Sequence, residues 1–195
     1  MRKQGKKGAA TQTARYTSVN RTFRIESVSD SKLNAISQER NVAVNVLVNK
    51  AISRYVDWEV HAEKFGFISV SPSTMSKLMS YLTEEQAREM GKWWAENSII
   101  GLIVFWFKKL DFETLLKAIE LLGSEYGRIF THKFSIDDDG NYTIILRHGR
   151  GLKTSYFYEE AAKSLFTHLG IKDMKSSTTD DQVVINAPRP PTPEA

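Results

Sequence analysis

Residues 21–59, RTFRIESVSDSKLNAISQERNVAVNVLVNKAISRYVDWE, decide how the front of this chain folds. They begin with an alternation of apolar and polar residues in which Phe23 and Ile25 share one face. Period-2 alternation of this kind predicts a short strand with one apolar side. The rest of the stretch carries apolar residues at helical spacing, so the sequence predicts one strand followed by two short amphipathic helices.

The two predicted helices have recognisable ends. Ser29 is a candidate N-cap of the first helix, and Asn41 is expected to end it, because asparagine tolerates the left-handed backbone conformation. The second helix carries an apolar stripe at spacings of three and four residues. Its members are Val44, Leu47, Val48, Ala51, Ile52, Tyr55 and Val56.

One copy of this segment is too small to bury its own apolar face. A single strand and about thirty residues of helix do not supply an independent core, and isolated strand pairs are marginally stable in water. A two-fold homodimer solves the problem, because the two strands then pair antiparallel and the four helices pack beneath them. The sequence therefore predicts a second copy of this chain as a partner, and higher oligomers remain open.

The opposite face of the predicted strand is polar and consists of Thr22, Arg24 and Glu26. A two-stranded ribbon fits the major groove of DNA, where such side chains meet base edges. The guanidinium of Arg24 matches guanine O6 and N7, Thr22 can contact a base edge or a thymine methyl group, and Glu26 can accept from a cytosine amine. We therefore expect these three residues to read bases in double-stranded DNA.

The pattern Arg-Thr-Phe-Arg-Ile over 21–25, followed by a helix, by NVAVNVLVNK over 41–50 and by RYVDWE over 54–59, resembles the ribbon-helix-helix family of MetJ and Arc repressors. The resemblance implies homodimeric operator binding, with phosphate held by backbone amides at the start of the second helix. Those amides belong to Val44 and Asn45. Many relatives place Ser or Thr before this helix, but this chain has Ala43, so the backbone groups would act alone.

The charge distribution also favours a polyanionic partner for the front of the chain. Residues 1–59 contain 11 basic and 5 acidic residues, whereas residues 60–195 contain 16 basic and 18 acidic residues. Residues 1–20 contain no acidic residue and few apolar ones, which predicts a disordered basic arm. The residues expected to contact phosphate in this region are Lys6, Lys7, Arg15 and Arg21.

The rest of the chain predicts a C-terminal mixed α/β domain over 65–187, which makes the whole protein α+β with a ribbon-helix-helix domain over 21–60. Ser71, Thr83 and Asp111 are candidate helix caps, Gly123 is a candidate helix stop, and a hairpin is expected around the Asp-Asp-Asp-Gly turn at 137–140. A helix over 154–169, ended by Gly170, and a strand over 182–186 follow. Residues 188–195 are rich in proline and predict a disordered tail.

One glycine-rich basic loop in this domain is a candidate anion site for a small-molecule effector. It lies between a predicted strand and a predicted helix, where free amides and the helix dipole favour a phosphate or carboxylate. Its candidate residues are His148, Arg150, Gly151, Lys153 and Thr154. The alternative is a tight connector in which Thr154 caps the following helix.

The remaining chemistry points away from catalysis. The chain has no cysteine, and no serine–histidine–aspartate or paired-carboxylate pattern is evident, so we expect no enzyme activity, cofactor or metal. No stretch approaches the length of a membrane span and the start lacks a signal peptide, so we expect a cytoplasmic protein without a membrane partner. The aromatic residues Trp93, Trp94, Phe105, Trp106 and Phe107 indicate either core packing or an apolar ligand pocket.

These observations favour a dimeric transcription regulator, typically a repressor, whose C-terminal domain senses a ligand, binds a protein effector or drives assembly. The alternative is an antitoxin-like protein that binds another protein through its back half and regulates its own synthesis through its front half. The two differ in one expectation, because antitoxin binding segments are usually short and disordered when free. The caps, hairpin and apolar periodicity of residues 65–187 favour a folded domain and hence the regulator.

Overall fold

The structure is a computed structural model that describes residues 18–188. The chain divides into two compact units, Met1–Ser53 and Arg54–Ala195. This division comes earlier in the chain than the sequence predicts, because Trp58 stacks on Phe67 and Tyr126 within the second unit. Among residues 18–188, no helix combines the length and the apolar character needed to cross a membrane. The predicted arm over 1–20 and tail over 188–195 fall almost wholly outside the described residues.

The first unit contains two helices, α1 (Ser27–Arg40) and α2, which spans Val44–Arg54 and ends at the boundary between the units. Helix α1 starts two residues before the predicted cap at Ser29, because the amide of Asp30 already donates to the carbonyl of Glu26. Its predicted end at Asn41 is confirmed, with φ 51° and ψ 46°. Asparagine adopts this left-handed conformation at lower cost than other side chains.

The predicted ribbon strand is not confirmed in the single chain. Residues 21–26 lead into α1 without belonging to a strand or to a sheet. A β-strand is defined by hydrogen bonds to a neighbouring strand, and the sequence predicts that this neighbour comes from a second copy of the chain.

The second unit contains several helical segments, the last of which, α8, follows the first two strands of the sheet. In chain order they are a π-helical segment Tyr55–Glu59, α3 (Val60–Lys64), α4 (Pro72–Ser80), α5 (Glu84–Trp94), a π-helical segment Ala95–Ile99, α6 (Ile100–Phe107), α7 (Phe112–Ala118), a π-helical segment Ile119–Tyr126 and α8 (Leu152–His168). The predicted caps at Ser71, Thr83 and Asp111 are confirmed, since each side chain accepts a hydrogen bond from a backbone amide of the first turn.

The strands of the second unit form one antiparallel sheet. They are β1 (Thr131–Ile136), β2 (Tyr142–Arg147), β3 (Lys175–Thr178) and β4 (Gln182–Ala187), in the order β1-β2-β4-β3. The predicted hairpin is β1–β2, closed by a turn in which the amide of Gly140 donates to the carbonyl of Asp137. The described chain is thus mixed α+β, with its four-stranded antiparallel sheet near the C-terminal end.

Two predicted helix ends in this unit were wrong. Gly123 does not stop a helix: it lies within the π-helical segment after α7, and the ring of Phe130 occupies the space that a side chain would need. Helix α8 begins at Leu152, with Gly151 as its N-cap, so Thr154 is inside the helix instead of capping it. The predicted end of α8 is close, since Gly170 follows the C-cap residue with a positive φ of 76°.

Helix α8 is the central element of the second unit. It packs against α5 and also contacts β3 and β4. Its inward residues join a core that includes Phe166, Ile103 and Leu115 with relative exposures of 1% each, and Ile144, which is fully buried. The second unit therefore has the folded hydrophobic core that the sequence predicts for it.

Candidate nucleic-acid interface

The described part of the first unit has folded helices but no buried side chain. No residue from 18 to 53 is buried, whereas the second unit has a well-buried core. The exposed apolar residues include Phe23 at 63%, Ile25 at 44%, Val46 at 54% and Ile52 at 44%. Exposed apolar residues that form a contiguous patch are typical of a surface that a partner covers.

The polar residues predicted to read DNA are at the N-terminal end of the same unit. Thr22, Arg24 and Glu26 are all exposed, and Glu26 immediately precedes α1 in an extended conformation, with ψ 140°. Arg21, predicted to contact phosphate, is also exposed. The structure thus leaves these four residues open to a ligand.

The start of α2 presents the unpaired backbone amides of an ordinary helix N-terminus. The amides of Val46 and Leu47 donate to the carbonyl of Ala43, so the first intrahelical bonds begin there. The amides of Val44 and Asn45 precede those bonds, as the first amides of any α-helix do. No acidic residue lies in the first turn of α2, so nothing in that turn opposes an anion.

The connection between the helices is fixed by local hydrogen bonds. The hydroxyl of Ser37 donates to the carbonyl of Val42 at 2.6 Å, and the amides of Asn41 and Val42 donate back to the last turn of α1. The predicted phosphate contacts Lys6, Lys7 and Arg15 lie outside the described residues.

The glycine-rich loop of the second unit is occupied by internal hydrogen bonds. The amides of His148 and Gly149 donate to the carbonyl of Asp181, and that of Gly151 donates to the carbonyl of Asp180. The arrangement favours a tight connector over an anion site, because these amides already have acceptors. Lys153, also predicted for the anion site, is half-buried, with its ammonium 5.9 Å from the ring centre of Tyr156.

The charged group of the loop, Arg150, points into the protein. Its side chain is buried, and Nη2 donates to the carbonyl of Ile129 and, at 2.6 Å, to the hydroxyl of Tyr158. Burial raises the pKa of Tyr158 to about 12, although the nearby guanidinium opposes that rise. The backbone carbonyl of Arg150 in turn accepts from the hydroxyl of Thr154 at 3.0 Å. These contacts lock the loop onto α8.

His148 is held neutral by its surroundings. Its Nδ1 accepts from the amide of Arg150 at 3.1 Å, and Nε2 lies 2.9 Å from Oγ of Ser155. The Ser155 hydroxyl donates to the carbonyl of Thr179, so Nε2 is the donor in the histidine contact. Burial, reinforced by the positive charge of Arg150, lowers the pKa of His148 to about 4, and Asp181 only partly offsets the shift.

Only two of the five aromatic residues that the sequence suggested for an apolar pocket line the same cavity. Trp94 and Phe105 line a cavity of about 700 Å³ in the second unit, but Trp93, Trp106 and Phe107 do not. Trp93 is 58% exposed, and Trp106 instead stacks on Phe65 and donates from its indole nitrogen to the carbonyl of Asp57. Most of the cavity wall was not predicted from the sequence, because its residues come from segments far apart in the chain.

No metal-binding group stands out in the described part of the chain. Within residues 18–188, no cluster of three or more histidine, aspartate or glutamate side chains is placed to hold a metal ion. The acidic turn at 137–140 is instead organised by its own hydrogen bonds. The carboxylate of Asp137 accepts from the side-chain amide of Asn141, which contributes most to lowering its pKa, and also from the backbone amides of Asn141 and Asp139.

Comparison with protein-family models, with curated proteins and with solved structures finds no match to this chain.

Proposed function

We propose that this chain is a homodimeric transcription regulator that binds specific DNA sequences through a ribbon-helix-helix unit. The observation that carries the proposal is the first unit itself, whose described residues form two helices without a buried side chain. Tertiary burial of an apolar face is the main source of helix stability in proteins. A second copy, paired along residues 21–26, supplies that burial by symmetry.

The polar features of the first unit support DNA as its ligand. The front of the chain is basic, and Arg24 is exposed on the segment that pairs in the proposed dimer. Pairing two such segments antiparallel brings both copies of Thr22, Arg24 and Glu26 onto one face of a ribbon. The amides of Val44 and Asn45 then provide phosphate contacts beside that ribbon.

The folded core of the second unit supports the regulator over the antitoxin-like alternative. Antitoxin binding segments are usually disordered when free, but α5, α8 and the sheet enclose a core in this chain. Limited proteolysis of the free protein tests the point, because residues 65–187 should survive as a resistant fragment. Rapid digestion of that region would favour the antitoxin-like alternative.

The direct test combines oligomeric state with DNA selection on the full chain. Sedimentation equilibrium should give twice the mass of one chain, and selection from random DNA should enrich a sequence with two related half-sites. A monomer that enriches no sequence would overturn the proposal.

A pair of substitutions connects the two measurements. Phe23→Ser removes an apolar residue from the proposed ribbon and should abolish both dimer formation and DNA binding. Val19→Ser is the matched control, because Val19 is also an exposed apolar residue, at 73%, but lies before the ribbon. Dimer formation by the Phe23 variant as strong as that of the control would show that residues 21–26 do not pair.

A further inference from the structure

The cavity in the second unit is large for a protein core. Its volume is about 700 Å³, and it extends from exposed Phe67 and Ile68 inward to Ile103 and Leu115, which are 1% exposed. Protein interiors are close-packed, with few voids larger than a water molecule. Pockets that hold small organic ligands have volumes of roughly 300–1,000 Å³.

The wall of the cavity is almost wholly apolar. No lining residue is charged, and tryptophan indoles aside, the only polar side chains on it are Asn97, Ser98 and Tyr158. Two of these are already engaged, since the Asn97 amide donates to the carbonyl of Trp93 and the Tyr158 hydroxyl is held by Arg150. A buried charge on a ligand would therefore have no partner and would be strongly disfavoured.

The fold keeps this space open in two independent ways. Gly101 lies on the wall in the middle of a continuous helical stretch, and a Cβ atom built there would meet nothing within 4 Å. Its φ is not positive, so the backbone does not require glycine, although glycine is a poor helix former. The residue therefore costs helix stability, and it leaves an exposed part of the cavity wall without a side chain.

The second feature that shapes the cavity is the π-helical geometry of the segments around it. All three π-helical segments in the described part of the unit contribute lining residues, including Trp58 from the first, Asn97 from the second and Ile119 from the third. A π-helical turn is rare and is frequently found at functional sites. Three of them around one cavity indicate that the cavity is a built feature.

We propose that this cavity binds an uncharged, predominantly apolar small molecule. The ligand would enter past Phe67 and Ile68. Its apolar part would make the van der Waals contacts that the side chains of the cavity wall otherwise lack. The inference rests on the proposed function in one respect, since it identifies the class of effector that the regulator senses. Ligand binding is measured without DNA, so a result that contradicts ligand binding leaves the proposal of DNA binding untouched, and the reverse also holds.

The test uses two fluorescent probes that share their ring systems. N-phenyl-1-naphthylamine is uncharged, whereas 8-anilinonaphthalene-1-sulfonate adds one sulfonate. Titration of the full chain should show saturable binding of one uncharged probe per chain, at least tenfold tighter than the sulfonate. Absence of saturable binding, or equal affinity for both probes, would overturn the proposal.

Two variants locate the site. Gly101→Leu and Ala161→Leu place a larger side chain on different walls and should each weaken binding of the uncharged probe at least tenfold. Tm should stay the same or rise, because Gly101 is exposed with nothing within 4 Å of its Cβ position, and the side chain added at Ala161 enters the cavity. Val104→Leu, on the same helix as Gly101 but away from the cavity, is the matched control and should bind as the parent does.

The outcomes in these variants decide whether the probe occupies this cavity. Unchanged binding in both folded variants would show that the probe binds elsewhere and would overturn the assignment. A lowered Tm in both would show that the space is closed in solution, with the same consequence. Loss of probe binding with intact DNA binding would place the two functions in separate units.

Discussion

Helices α5 and α8 meet where Gly91 faces the backbone of Phe157. A Cβ atom on Gly91 would overlap the carbonyl oxygen of Phe157 and lie 2.9 Å from its carbonyl carbon. Gly91 is buried, and the two helices form the most extensive helix pair of the second unit. The absence of a side chain at one position therefore sets how closely these helices approach.

Gly91→Ala should lower the free energy of unfolding of the second unit by about 2–3 kcal/mol, because the backbone of α8 must move to admit the methyl group. Gly101→Ala is the matched control: it gains helix propensity without a clash and should raise the same quantity by up to about 1 kcal/mol. Urea unfolding followed by tryptophan fluorescence measures both, since all four tryptophans lie in the second unit. Equal stability of the two variants would contradict the close approach.

Asp111→Ala should lower the free energy of unfolding of the second unit by about 1 kcal/mol, because it removes the cap of α7. The Asp111 carboxylate accepts from the amide of Thr114 at 2.8 Å, and its contacts with Lys109 and Thr114 lower its pKa to about 2. Asp111→Asn should retain most of the cap. Glu113→Ala, in the same turn, should change stability much less than Asp111→Ala does, because Glu113 is exposed and does not cap the helix.

Acidification should remove the contribution of the Asp111 cap to the stability of the second unit. A carboxylate whose pKa is lowered by folding stabilises the protein above its unfolded pKa and loses that contribution as the pH falls toward the folded value. The stability difference between parent and Asp111→Ala should therefore shrink between about pH 4 and pH 2. A difference that stays constant across this range would mean that the charge contributes nothing to the cap.

Stability should also fall between about pH 6.5 and pH 4 because of His148. Its pKa is about 4 in the folded protein, so over this range the unfolded chain binds a proton that the folded chain does not. The loss should reach roughly 3 kcal/mol at most. His148→Gln should flatten this part of the pH profile, whereas His168→Gln, a change at an exposed histidine of the same unit, should leave it as in the parent.

Arg24→Ala should relax base preference more than it weakens overall binding to DNA. Loss of one bidentate guanine contact removes about 1–3 kcal/mol of discrimination at one position of each half-site. Arg21→Ala is the contrasting variant: it should weaken binding to all sequences and reduce the slope of log K against log salt concentration by about 0.9 for each phosphate that is no longer neutralised. Anisotropy titrations with selected and scrambled DNA separate the two effects.

Local signals in the sequence predicted much of the second unit. The caps at Ser71, Thr83 and Asp111 and the turn before Gly140 depend on residues within a few positions of one another, so the sequence alone identifies them. Gly123 was misread because a helix stop and a close-packed glycine look alike without knowledge of Phe130. Strand β3 was missed because its sequence, KSST, is polar and lies at the edge of the sheet.

Long-range relationships account for the rest. The inward turn of Arg150 depends on Ile129 and Tyr158, and the cavity depends on segments from Trp58 to Ile185. Neither could be predicted from spacing along the chain. The pattern of residues 21–59 predicted that one copy lacks a core, and the described residues from 18 onward in the first unit contain no buried side chain.

The π-helical segment Ala95–Ile99 sets the rotation of α6 about its own axis, which amino-acid composition does not determine. An α-helix turns by about 100° per residue, so deletion of a single residue within this segment would rotate all of α6 by that angle. Every apolar residue of Ile100–Phe107 would be retained, as would the order in which they occur. Gly101 and Leu102 would nevertheless no longer face the cavity. The rotation of α6, and not its hydrophobicity, therefore determines whether the cavity forms.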